Sequence, residues 1–414
     1  MPNIALLHYS APPIIGGVES VIEHHARLLI KAGHNVRMIA ARGAAPYEHA
    51  EYHHIPLVGS QHETILTIKK QLDAGILPDD FKLVQSKIVE QLAEAFEGID
   101  VIMAHNVGSL HKNLPLTASL KEICAQPSAP KLILWHHDFA WCSARYKNEL
   151  HDGFPWNLVR QDWPNVQPTH VVVSDLRQEE FSNLFNLPAE AAHVIPSGLD
   201  FANFLNLDQQ SSKSIETLKL TGSDPLFLLP VRITRRKNIE LAINIVAQLQ
   251  TYFLKPTLVV TGPPGAHNKD NHKYLQELIS LRNSLGLNPE TSHHGRVHLL
   301  AETEEEPLPI HFVHDLFRIA DALIFPSYEE GFGIPMLEAG LVGIPIFASH
   351  IAPLKAIGTN YANWFSPYGD PAEIAQQISQ NLQADPIFGL KKQIRQNFIW
   401  EGVFEKHISP LLGV

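Results

Sequence analysis

Two carboxylates, Glu330 and Glu338, stand eight positions apart in the run Glu-Gly-Phe-Gly-Ile-Pro-Met-Leu-Glu, with glycines and a proline between them. The apolar stretch Ala322–Phe325 leads in as a strand, and apolar residues at helical spacing follow Pro335. This reads as a strand, a loop and a helix start. A proline in the first turn forgoes an N–H that would lack an intrahelical partner, so the amides of Met336, Leu337 and Glu338 are expected to open toward the loop. Open amides at a helix N-terminus suit a phosphate. Glu338, about a turn in, is placed to accept hydrogen bonds from a diol such as a ribose, and Glu330 could do the same for a second polyhydroxylated group. One segment thereby offers places for sugar, phosphate and ribose in order.

Further candidates sit at other predicted strand ends. Arg232 and Lys237 follow the strand Leu226–Leu229 in Arg-Ile-Thr-Arg-Arg-Lys-Asn, just before a helix. A planar fork and a compact ammonium could grip a diphosphate from two sides and counter the charge of a leaving phosphate, with Arg235 and Arg236 facing solvent. The alternative is a solvated basic loop. His137-Asp138 ends another strand among Phe139, Trp141 and Tyr146. His137 could contact a sugar hydroxyl or stabilise charge at a reacting carbon, with Asp138 orienting its imidazole; a structural histidine is the competing reading. Gly16-Gly17 after the first strand could let backbone approach a ligand closely. Gly262-Pro-Pro-Gly265 suggests the same, and equally a plain turn.

To position these residues, short apolar strands must alternate with helices, the pattern of parallel sheets covered on both faces. Strands are expected at 4–9, 35–40, 101–104, 132–135, 170–173 and 193–195, and again at 226–229, 257–261, 297–300, 316–320, 322–325 and 345–348. A helix at 18–31 ends at Gly33, and 60–98 reads as helices broken near Gly75-Ile-Leu-Pro78. The polar stretch Asp208–Ser214 is the expected linker. That divides the chain into residues 1–205, with a C-terminal helix at about 398–414 packing back on them, and residues 215–395.

With 414 residues and 45% hydrophobic content the chain can bury two such cores. Acidic residues outnumber basic ones 43 to 32, a net charge of −11, which argues against a nucleic-acid partner and against firm anchoring on an anionic membrane. No apolar run approaches the roughly 20 residues of a membrane span, so membrane contact would be at most peripheral. Two cysteines and an unremarkable start predict a cytoplasmic location. The 24 histidines include adjacent pairs rather than spaced ligand sets, and there is no His-Glu-x-x-His or Cys-x-x-Cys, so no metal site is expected. The dinucleotide fingerprint Gly-x-Gly-x-x-Gly and the phosphate loop Gly-x-x-x-x-Gly-Lys are both absent.

Together these stretches resemble the retaining glycosyltransferases of family 4, which have the GT-B fold: α/β, with two Rossmann-like domains whose parallel sheets face a central cleft. The likeness covers nearly the whole chain. Glu330 through Glu338 looks like that family's Glu-x7-Glu motif, accompanied by Gly16-Gly17-Val-Glu19, His137-Asp138, Val173-Ser174, Ile195 to Asp200, and Arg232 with Lys237. Two departures are Pro230-Val231-Arg232 where Gly-Arg is usual, and Ser197 where Asn is common.

The resemblance implies that Glu330 and the amides of Phe332, Gly333 and Ile334 hold the donor sugar, that the amides of Met336 and Leu337 meet the phosphate, and that Glu338 holds the ribose. Arg232 and Lys237 would neutralise the departing diphosphate, His137 would sit beside the donor sugar, and Gly16 and Gly17 would line the phosphate channel. The nucleobase would pack near Val297 to Ala301, Leu300 included. The implied reaction moves a hexosyl group, glucose from UDP-glucose by preference, with retention onto a glycan or lipid-linked acceptor of bacterial surface polysaccharide, with no cofactor or metal. GDP-mannose and other UDP-sugars stay open, as do a sugar-nucleotide epimerase on this fold and an inactive sugar-nucleotide-binding scaffold.

Overall fold

A computed structural model of the chain describes residues 1–265, 270–302 and 308–412. It divides into two compact units: Met1–Leu199 with Phe398–Val414, and Asp200–Asn397.

The first unit holds seven parallel strands: β1 (Asn3–Leu7), β2 (Asn35–Ala40), β3 (Glu51–His54), β4 (Val101–His105), β5 (Lys131–His136), β6 (Thr169–Val172) and β7 (Ala192–Val194), in the order β3-β2-β1-β4-β5-β6-β7. The central strands are apolar between their ends because both faces are covered. Ile4 and Leu6 enter one core, with Val36, Met38 and Met103; Ala5 and Leu7 enter the other, with Ile39, Ile102 and Leu134. The C-terminal segment joins the first of these. Its Trp400, Val403, Phe404 and Ile408 are buried against Val21 and Ile22, and Leu199 pairs with Ile399.

In the second unit β8 (Leu226–Leu229), β9 (Thr257–Val260), β10 (Arg296–Leu299), β11 (Ala322–Phe325), β12 (Ile346–Ser349) and β13 (Asn363–Phe365) form a parallel sheet in the order β10-β9-β8-β11-β12-β13. In both units the strand order reverses once, between β1 and β4 and between β8 and β11. Ligands of such sheets gather beyond the carboxyl ends of the strands flanking that reversal.

Three expectations are corrected. The polar stretch Asp208–Ser214 is not a linker: Asp208 caps the helix Gln209–Thr217, its carboxylate accepting from the amides of Gln210 (2.8 Å) and Ser211 (3.3 Å). Ser211 and Ile215, four apart, give that otherwise polar helix its one buried stripe. Residues 316–320 are not a strand but close the helix Ile310–Ile319, whose Phe312, Leu316 and Ile319 face the core at helical spacing. Strands β3 and β13 were not anticipated. They are sheet edges with few buried apolar residues, so no continuous apolar run marks them.

Candidate active site

The loops after β8 and β11 bring the principal candidates of the second unit together at its strand reversal. Lys237 Nζ lies 2.5 Å from Glu330 Oε1, and Ser327 donates its hydroxyl to the same oxygen at 2.6 Å. Both charged side chains are nearly enclosed, at 10% and 7% exposure, and the ammonium also lies 5.5 Å from the centre of the Phe325 ring. Burial pulls the Lys237 pKa down, against the raising effect of Glu330. Asn238 binds the two loops together. Its backbone is left-handed (φ 51°), and its side-chain amide donates to the carbonyls of Pro326 (3.1 Å) and Pro367 (2.9 Å).

Arg232 is exposed and, among the described residues, has no hydrogen-bond or ion-pair partner. Its loop is held by a bridge from Ile233 to Pro264, and the Gly262 amide donates to the Val231 carbonyl at 3.1 Å. A Cβ on Gly262 would lie 2.2 Å from that carbonyl oxygen. Gly262 is therefore accounted for by close approach of its own chain, which positions the Arg232 loop. Arg235 pairs with Glu277 at the surface. Arg236, expected to face solvent, is half exposed but reaches the Glu329 carbonyl (3.1 Å) and Glu330 Oε2 (3.6 Å).

The helix after β11 spans Ile334–Val342 and is capped by Gly333, so it starts one residue ahead of Pro335. This corrects the expected set of open amides. Leu337 and Glu338 enter the first intrahelical bonds, and Met336 donates to the Gly333 carbonyl at 3.0 Å. The amides of Phe332, Gly333 and Ile334, like that of Gly331 before them, have no hydrogen-bond partner among the described residues. Gly333 makes this geometry possible: its φ is +111°, and a Cβ there would lie 2.5 Å from the Leu354 side chain. Gly333→Ala is expected to cost about 1–3 kcal/mol of stability through backbone strain and that clash, lowering the thermal midpoint and weakening nucleotide binding together. Glu338 is partly exposed one turn along the helix, and Leu300 is buried just past β10.

In the first unit the ends of β1, β4 and β5 carry histidines. His137 Nε2 is 3.1 Å from His105 Nδ1, while the His137 amide donates to Asn106 Oδ1 at 2.8 Å. Burial, reinforced by His8, pushes the His137 pKa down to about 3. The ring is neutral near pH 7, so it serves as a hydrogen-bonding group rather than a cation. Asp138 does not orient it. Successive side chains at a strand end point apart, and Asp138 is exposed beside Arg177 (3.7 Å). His105 and Asn106 were missed in the sequence because an apolar strand ending in His-Asn carries no distinctive signal. Gly16 is extended before the helix Gly17–Lys31. A Cβ on Gly17 would meet nothing within 4 Å, so open space adjoins it.

Among the described residues one acid and histidine cluster has the proximity of metal ligands, Asp73, His111 and Glu149. Lys69 already supplies its cation, 2.6 Å from Asp73 and 2.8 Å from Glu149.

Comparison with known proteins adds the family. The model for glycosyltransferase family 4 matches residues 15–203, and that for glycosyl transferases group 1 matches residues 210–398. The mannosylglucosylglycerate synthase of Petrotoga mobilis is 30% identical over 306 residues, covering 66% of this chain and 67% of that protein. The chain belongs to glycosyltransferase family 4. A mannosylglucosylglycerate synthase of Thermotoga maritima is 26% identical over 81% of this chain and 78% of its own length. Among solved structures, Anabaena HepE in complex with UDP and glucose aligns over 100% of both chains at 18% identity, with a TM-score of 0.37. As a family 4 glycosyltransferase with two Rossmann-like units, the protein is of the GT-B class. The group 1 model spans the β8/β11 reversal and the candidate residues gathered there, and the family 4 model begins after β1 and takes in Gly16, Gly17, His105 and His137.

Proposed function

We propose that this glycosyltransferase moves a hexosyl group from a nucleoside-diphosphate sugar to an acceptor hydroxyl with retention of configuration, UDP-glucose being the first donor to test. One observation carries this reading: at the β8/β11 reversal, Arg232, unpartnered among the described residues, the buried Lys237–Glu330 pair and the open amides of Phe332, Gly333 and Ile334 lie on the loops that follow the two strands. A diphosphate arriving there meets a guanidinium and amide dipoles, and it competes with Glu330 for Lys237. As the C1–O bond to the nucleotide loosens, charge grows on the leaving oxygen, where these donors stabilise it most. The acceptor oxygen then bonds C1 from the same face, and its proton passes to the departing phosphate. Such a set needs no metal to neutralise the leaving group.

A mannosyl donor, GDP-mannose, is the second reading, favoured by relatives named for synthesis of mannosylglucosylglycerate. Those names also weigh toward a small soluble acceptor against the glycan or lipid-linked acceptor of surface polysaccharide. Binding and turnover with a panel of nucleotide sugars, with and without chelator, tests the proposal. Acceptor-dependent release of free nucleotide supports transfer. Epimerised donor, or binding without turnover, refutes it. For Glu338→Ala we expect the donor KM to rise roughly ten- to hundredfold, the scale of charge-assisted hydrogen bonds, with little change in kcat. A fall in kcat at unchanged KM would remove Glu338 from the ribose.

A further inference from the structure

Two cavities open side by side on the first unit, of about 440 Å³ and 370 Å³. The larger lies at the carboxyl ends of β4 and β5, with Asn106, Asp138 and Phe139 on its wall. The smaller reaches toward the helix Glu63–Asp73, past Ser60, Gln61 and Leu66. Lys112, Arg145 and Tyr146 line both, so they form the wall the cavities share.

The cations around this space are of two kinds. Lys69 is bonded to Asp73 and Glu149, and Arg177 is bonded to Glu180 with Asp138 at 3.7 Å. Lys112 and Arg145, on the shared wall, have no acidic partner among the described residues. Arg145 is exposed, yet its side chain has a neighbour to rest on. The Arg145 guanidinium lies over the Tyr146 ring, 5.1 Å from its centre. Lys112 is half buried on the turn His111–Asn113, and both of its neighbours are fixed: His111 bonds Glu149 at 2.7 Å, while Asn113 bonds the carbonyls of Leu57 and Val58 and caps the following helix. Two cations without an acidic partner among the described residues, at one wall of a concave site in a chain of net charge −11, raise the local potential for an anion. Asn106, Asp138, Ser143 and Tyr146 add hydrogen-bonding groups for hydroxyls around the larger cavity.

We infer that the paired cavities are the acceptor site and that the acceptor is a small polyhydroxylated anion, its carboxylate or phosphate held by Lys112 and Arg145 and its hydroxyls in the larger cavity. This rests on the reading of the chain as a transferase to a hydroxyl acceptor. The acceptor oxygen gains the bond to C1, the nucleotide's phosphate oxygen loses it, and the hydroxyl proton leaves on that phosphate, so the anionic group takes no part in the bond change and serves recognition alone.

The test compares matched acceptors on the full chain, with UDP-glucose and with GDP-mannose: glycerate against glycerol, and glucuronate and glucose 6-phosphate against glucose. At least one anion should exceed its neutral partner roughly hundredfold in kcat/KM, and Lys112→Met or Arg145→Met should cut that preference roughly tenfold, the effect of losing one charge-assisted bond. Lys112→Arg should keep it. Which anion wins separates carboxylate from phosphate. Calorimetry of the same acceptors without donor reads the site independently of turnover. Equal use of neutral acceptors, a preference unmoved in Lys112→Met, use of a lipid-linked diphosphate alone, or no anion binding by calorimetry would each overturn the inference. Failure to bind any nucleotide sugar would instead overturn the functional reading, leaving anion binding to be judged by the calorimetry.

Discussion

Lys237→Ala is expected to lower turnover by roughly 10² to 10³, the scale on which loss of one preorganised donor to a leaving group is felt, while nucleotide affinity falls far less. The asymmetry follows from the ion pair. In the free chain Lys237 is satisfied by Glu330 at 2.5 Å, so a ground-state diphosphate gains little by displacing an equivalent partner. Only as charge builds on the leaving oxygen does the exchange become favourable, which places the interaction in kcat rather than in binding. Stability needs its own control. Removing the lysine leaves Glu330 nearly enclosed without its countercharge, a change that costs about 3–5 kcal/mol in buried pairs. Lys237→Ala combined with Glu330→Gln should therefore recover most of the thermal midpoint without recovering turnover. Parallel loss of kcat and nucleotide affinity in the single variant would rule out a role specific to the transition state.

The first unit is expected to lose stability steeply below pH 6.5. Burial pushes the pKa of His8 down to about 4, those of His25 and His137 down to about 3, and those of His105 and His136 well below the usual value. Each ring is neutral when folded but takes a proton near pH 6.5 when unfolded. The unfolded chain thus binds more protons below 6.5, and stability present above that pH is lost as the pH falls toward the folded values. At pH 5 the linkage amounts to about 2 kcal/mol for each of His8, His25 and His137. Together they reach about 6 kcal/mol, a large part of the stability of an ordinary domain, and His105 and His136 act in the same direction. In the second unit His298, at about 4, is the comparable group among the described residues.

His25 isolates the effect. It is fully buried, both ring nitrogens lack a hydrogen-bond partner, and its ring packs 4.6 Å from Trp135 and 5.4 Å from Trp400. His25→Phe keeps an aromatic ring without the titration, so it should raise stability at pH 5 relative to pH 7 by about 1–2 kcal/mol. Urea unfolding followed by tryptophan fluorescence at pH 7, 6 and 5 reads both effects, because five of the six tryptophans lie in the first unit. Equal stability across that range would mean that the buried histidines do not govern acid unfolding.

The strands other than the edges β3 and β13, their parallel pairing class and the segment Glu330–Glu338 were legible from residue order alone. An apolar run of four to six residues has few conformational options, and a Gly-Phe-Gly-Ile-Pro stretch has fewer. Family membership followed from the same local information, since the motif residues keep their order whatever the tertiary details. Pairings between distant residues were not legible. Lys237 and Glu330 are 93 positions apart and became partners because β8 and β11 are neighbours at the strand reversal. A list of strands carries no adjacency, so sequence assigned the two to separate ligands. His137 met His105 rather than Asp138 for the same reason: β4 lies beside β5, whereas consecutive side chains diverge. Asp208–Ser214 became a helix because Asp208 also receives a contact, its own amide donating to Asp315 at 3.1 Å, that no local reading of a polar stretch contains. Composition and spacing determined which chemical groups this protein carries and in what order. The tertiary structure decided which of them neutralise one another and which, like Arg232, Lys112 and Arg145, have no acidic partner among the described residues, because the strength of a charge interaction is set by distance and burial rather than by separation along the chain.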